Sequence, residues 1–99
     1  MILYNVTINV DDEIHDEWLS WMKTVHVPDV LATGCFLEGR IFKINVDEQQ
    51  GRSYSFQYRA NTMQDYERYR ANFAPAMQKD VTDKYGGKFV AFRTILEEV

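Results

Sequence analysis

Two histidines, one cysteine and a row of amides, hydroxyls and a guanidinium are the groups in this 99-residue chain that could do chemistry. His26 is the most suggestive. An imidazole titrates near neutral pH and is the usual general acid or base. His26 falls at the expected end of a helix, one residue short of Val27-Pro28. It therefore reads either as an acid or base, or as a helix-end cation beside the last carbonyls. His15 lies beside an apolar helical stripe and is expected on the surface. Cys35 reads as a buried, inert thiol, because free cysteine usually behaves as a small hydrophobe. Two histidines and one cysteine give no metal-ligand spacing, so no metal site is expected. No cofactor is expected either.

A polar row is the second candidate. Asn5, Thr7 and Asn9 alternate with apolar residues near the start of the chain, and Ser55, Gln57 and Arg59 do so further on. Lining an enclosed space, they suit a small polar or anionic ligand, with Arg40 and Arg93 as possible neighbours. The alternative is a wet interface whose polar groups bond one another and water. Trp18 and Trp21 stand about 60° apart around a helix, broad enough to reach both a core and a groove. Asn5, Thr7, Gln57, Arg59 and Trp18 are thus the candidate ligand contacts, and His26 the candidate catalytic group.

These residues need elements to position them. Residues 2–10 alternate with period two and predict a half-buried strand. Asp11, Asp12 and Glu13 open a helix, one aspartate serving as its cap. Ile14, Trp18, Trp21, Met22 and Val25 form its apolar stripe. Pro28 disfavours the helical region for Val27, so the helix is expected to stop near His26, with a turn over 28–34. Strands are predicted over 35–46 and 52–60 around a 47–51 hairpin loop. Thr62 caps a second helix, which Pro75 is expected to kink or break after Ala74. Gly86-Gly87 supplies a left-handed cap. Residues 88–97 form the last strand.

The order β-α-β-β-α-β is the ferredoxin-like split arrangement, an α+β fold with a four-stranded antiparallel sheet and two helices on one face. Size scaling gives one domain, residues 1–99, exposing roughly 5,900 Å² when folded. The central strands have one apolar and one polar face. The edge strands carry apolar residues on both: Phe36, Phe42, Ile44 and Val46 against Cys35, Leu37 and Ile41, and Phe89, Ala91 and Ile95 against Val90, Phe92 and Leu96. Strands apolar on both faces are usually covered on both, so a second copy is expected on the open face, giving a homodimer.

The formal charge of −4, with eleven scattered basic residues, disfavours nucleic acid and anionic membranes. Arg52-Ser53-Tyr54-Ser55-Phe56 resembles the aromatic motif of RNA-recognition modules. With Tyr4, Tyr54 and Phe56 facing RNA, however, the polar row would be buried beneath the helices at about 1–3 kcal/mol for each unpaired group. One cysteine, no membrane-length apolar run and no signal-like start make the cytoplasm the expected location.

Met1-Ile2-Leu3-Tyr4-Asn5-Val6-Thr7 and Trp21-Met22-Lys23-Thr24-Val25-His26-Val27-Pro28-Asp29-Val30 carry a resemblance to the dimeric α/β-barrel superfamily, and within it to a small bacterial group catalogued as a domain of unknown function. The resemblance spans the chain. It implies the ferredoxin-like fold and a homodimer whose sheets close a barrel. Wider relatives include cofactor-free monooxygenases, haem-degrading enzymes, isomerases and ligand-sensing domains, so fold does not choose among functions. Three readings follow: a homodimeric small-ligand-binding or regulatory module, a cofactor-independent enzyme using His26 with Asn5 or Arg59 orienting substrate, or a protein-interaction dimer.

Overall fold

A computed structural model describes residues 1–47 and 50–99; Glu48 and Gln49, in the expected hairpin loop, lie outside the described residues. Strand β1 spans Ile2–Val10, and its strict alternation becomes a strict alternation of burial. Helices α1 (His15–Trp21) and α2 (Val27–Ala32) follow, then β2 (Glu38–Lys43) and β3 (Arg52–Ala60). Helices α3 (Met63–Asn72) and α4 (Ala74–Tyr85) lead to β4 (Phe89–Glu97). All strand pairs are antiparallel, in the order β2-β3-β1-β4. The fold is ferredoxin-like, and each expected helix is built from two segments.

Both helical limbs bend around a proline. The first does not stop near His26. It passes through a π turn over Met22–His26, where the Val27 N–H reaches the Met22 carbonyl, and continues to Ala32. Pro28 lies in the first turn of the new segment, where a missing N–H has no ladder bond to break. The second limb breaks at Phe73, one residue before the expected place, because Pro75 occupies the first turn of α4. Thr62 caps α3 as expected, accepting from the Asp65 N–H at 3.2 Å. The first limb has no side-chain cap: Asp11 stands at the cap position, and its carbonyl accepts from the Ile14 N–H instead. Gly87 takes the left-handed conformation after α4, with φ 82°.

β2 is shorter than the 35–46 expected. Cys35 and Phe36 leave the strand and turn inward, where Phe36 packs on Tyr4, Tyr58 and Tyr69. Phe36 and Phe42 therefore do not share a face: Ile41, opposite Phe56, packs on the core, while Phe42 is exposed.

The core lies between sheet and helices, with Tyr4, Val6, Ile8, Trp18, Met22, Phe56 and Tyr58 all buried. Tyr54 is buried with them, so the aromatics of the RNA-like stretch face the helices. Among the described residues, no helix is long and apolar enough to cross a membrane.

Candidate functional site

The sheet separates the candidate residues into two groups. Asn5, Thr7, Gln57 and Arg59 occupy the open face, with Asn5 opposite Gln57 and Thr7 opposite Ser55. They bond mainly to their own neighbours. Asn5 donates to Thr7 at 3.1 Å and accepts from Ser55, while Gln57 donates to the Ser55 hydroxyl at 3.1 Å. Asn9 donates to Ser53 at 3.2 Å. The Arg59 Nε stands 3.5 Å from the Glu38 carboxylate, an ion pair too long for a good hydrogen bond. Arg40 lies beside this row, opposite Gln57, as expected.

Apolar edges flank the polar row. On β4, Val90 and Phe92 are 70% and 64% exposed, with Leu96 exposed beside them, and at the opposite edge Leu37 and Phe42 are exposed. This face is a polar centre, hydrogen-bonded within itself except at the Arg59 Nε, between two apolar margins.

His26 is on the other side. It closes the π turn and borders a cavity of about 230 Å³ between helices and sheet. β1 contributes Tyr4, Val6 and Ile8 to the wall, β3 contributes Phe56 and Tyr58, and α4 contributes Met77, Gln78, Val81 and Thr82. Arg93 of β4 reaches in from the edge strand, which corrects its expected place beside the polar row. The register pairs Arg93 with Val6, a core-facing position, so its side chain leaves the sheet toward the helices. Asn5 and Arg59 cannot orient a substrate held against His26, because the sheet stands between them.

Tyr4 is the hub of this wall. Its ring lies 5.3–5.9 Å from those of Phe36, Tyr58, Tyr66 and Tyr69. Its hydroxyl accepts from the Arg93 Nε at 3.1 Å. The Tyr58 hydroxyl is buried and has no hydrogen-bond partner among the described residues.

Burial sets the protonation of the site. It pushes the His26 pKa below its ordinary value, and the nearby Arg93 guanidinium adds to this, although Asp29 and Asp80 pull the other way. Burial raises the Tyr4 phenol despite Arg93, and raises Tyr58 and Tyr69 strongly. Near neutral pH the wall thus holds a neutral imidazole, neutral phenols and one guanidinium. Such a set can donate hydrogen bonds, accept a proton at His26 and balance one negative charge.

The tryptophans divide the work. Trp18 is fully buried against Tyr54 and Phe56, with ring centroids 5.6 and 5.7 Å away, and does not line the cavity. Its Nε1 has no hydrogen-bond partner among the described residues. Trp21 instead stacks on His26, with ring centroids 5.7 Å apart.

His15 is not on the surface. It is 6% exposed, with Nε2 2.6 Å from the Tyr54 hydroxyl and Nδ1 2.7 Å from Asp16. Cys35 is buried and free. Among the described residues, no group of three or more His, Cys, Asp or Glu is placed to hold a metal ion.

Tyr4, Tyr58, Gln78 and Arg93 are site residues that sequence reasoning did not single out for this cavity. Only Arg93 left a signal: a charge in phase with Phe89, Ala91 and Ile95. Tyr4 and Tyr58 read as core, which they also are.

Among solved structures, the chain is similar to HapK from Hahella chejuensis, with a TM-score of 0.74, 9% identity, and 100% of this chain and 93% of that chain covered. It is similar to a dimeric ferredoxin-like protein from an uncultured marine organism, with a TM-score of 0.70, 12% identity, and 100% and 95% covered. A third is SnoaB, a cofactor-independent oxygenase from Streptomyces nogalater, with a TM-score of 0.68, 10% identity, and 98% and 92% covered. At these identities the likeness shows the fold alone. No curated protein matches the chain. Residues 1–99 match one family throughout, and the chain belongs to it: the family described as Domain of unknown function (DUF4286).

Proposed function

We propose that residues 1–99 act as one ferredoxin-like domain that pairs with a second copy and holds a small molecule between its helices and sheet. The observation that carries this reading is the convergence of His26, Tyr4 and Arg93 on one partly enclosed cavity of about 230 Å³. This is below the roughly 300 Å³ at which drug-sized sites begin. A cavity of about 150 Å³ takes benzene, so this one suits a body of about nine non-hydrogen atoms.

The open face supports the homodimer. Asn5, Thr7, Gln57 and Arg59 then form the polar seam of the interface, and Phe42, Val90, Phe92 and Leu96 its apolar margins. A structural neighbour described as a dimeric ferredoxin-like protein favours the same assembly. The lone cysteine suits a cytoplasmic setting.

A thermal-shift screen against small metabolites tests the site. A ligand at 100 times its Kd stabilises the folded state by about 2.7 kcal/mol. Ala91→Phe places a ring in the half-buried cavity wall. Compounds that shift the native protein should not shift this variant. Equal shifts in both proteins, or none in the native one, would sink the reading.

A second reading is a cofactor-independent enzyme with His26 as proton acceptor. The lowered His26 pKa favours it, because a neutral imidazole is ready to take a proton. SnoaB, described as a cofactor-independent oxygenase, is a structural neighbour. With a ligand in hand, His26→Gln separates the readings: loss of turnover with binding retained points to the enzyme.

A further inference from the structure

We infer that the molecule held in this cavity is a small monoanion with a flat apolar body, its acid group on Arg93 and its body between the sheet and α4. The inference rests on the cavity reading above and adds the ligand's chemical class.

The first support is a missing partner. Arg40, Arg52, Arg59, Arg68 and Arg70 each stand within 4.0 Å of a carboxylate. Arg93 has no carboxylate partner among the described residues, although acids outnumber bases in the chain by 15 to 11. Its Nε is held by the Tyr4 hydroxyl. That bond leaves the two terminal amino groups as a fork suited to two carboxylate oxygens.

The second support is the charge of the wall. Among the described residues, no acidic one lines the cavity, and Arg93 is the one formal charge in its lining near neutral pH. Asp29 and Asp80 are near enough to act on His26 but lie outside the lining. His26 stays neutral there, and the exposed Arg93 guanidinium at the edge of the cavity attracts an anion and repels a cation.

The third support is shape. The Phe56 and Tyr58 rings offer flat apolar surfaces, Val6 and Val81 add branched apolar ones, and Met77 a deformable one. The buried, unpartnered Tyr58 hydroxyl lies in the same wall.

The test uses the native protein, nitrogen-15 labelled, titrated in NMR with trans-cinnamate and with its neutral amide, cinnamamide. The two share one planar body and differ in charge. Cinnamate should shift the amide signals of Val6, Ile8 and Val81 and bind about tenfold or more tightly than cinnamamide, the usual size of a charged hydrogen-bond contribution. Arg93→Gln should erase that preference while the spectrum stays dispersed, and Arg93→Lys should keep part of it. Equal affinity for acid and amide at these residues would overturn the anion class and leave the cavity reading standing. Shifts confined to other surfaces, or none with either compound, would overturn both.

Discussion

The Nε of Arg93 donates to the Tyr4 hydroxyl at 3.1 Å, joining β4 to the centre of the aromatic wall on β1. Tyr4 faces Ile95 in the register, and Arg93 faces Val6, so the bond runs diagonally between the two strands. It turns the guanidinium toward the helices and over the cavity that His26 borders. Removing the hydroxyl with Tyr4→Phe keeps the ring packing and frees the guanidinium. The expected loss of stability is about 0.5–1.5 kcal/mol, the net worth of one hydrogen bond. Urea unfolding measures that part. Cinnamate should bind the variant more weakly than the native protein; unchanged binding would show that Tyr4 does not position Arg93.

His26 makes stability depend on pH with a definite sign. Its folded pKa lies below the ordinary value of 6.5, so the unfolded chain takes up a proton first as pH falls. The unfolded state then binds more protons, and stability drops as pH falls from about 6.5 toward the lower folded value. His26→Gln removes this contribution. Urea midpoints at pH 7.5, 6.5 and 5.5 should fall less steeply for the variant than for the native protein. Parallel curves would mean that His26 is not held neutral by burial.

The buried His15–Tyr54 pair has a larger expected cost. The His15 Nε2 lies 2.6 Å from the Tyr54 hydroxyl, and the two rings stack with centroids 5.6 Å apart. Tyr54→Phe leaves a buried ring nitrogen without its partner, at about 1–3 kcal/mol. In His15→Leu the loss of that hydroxyl should matter less, so the double variant should be less destabilised than the sum of the two single ones. A calorimetric double-mutant cycle reads the difference, and strict additivity would argue against the pair.

The open face predicts assembly. Light scattering of the native protein at micromolar concentration should give twice the 11.7 kDa of one chain. Phe92→Glu with Leu96→Glu puts charges on the exposed β4 margin and should yield a folded monomer. A native protein that already runs as a monomer would rule out the homodimer.

The strands and their order were legible because their signals are local. The alternation of Ile2, Tyr4, Val6 and Ile8 with Leu3, Asn5 and Thr7 assigns β1 two faces of different polarity, and Tyr54, Phe56 and Tyr58 do the same for β3. The cap at Thr62 needed only its neighbours. The helix stop was misjudged because Pro28 acts through the ladder. A π turn over Met22–His26, in which the Val27 N–H bonds the Met22 carbonyl, precedes Pro28, and the helix continues through it.

By itself, then, the sequence determined the β-α-β-β-α-β order and the polar and apolar faces of β1 and β3. Both follow from periodicities read within a few residues. Only the tertiary structure brought Arg93 and His26 to one cavity and buried His15 against Tyr54. β4 carries apolar residues on both faces, so its own pattern does not say which face meets the helices. The register with β1 decides that, through pairing between residues nearly ninety positions apart.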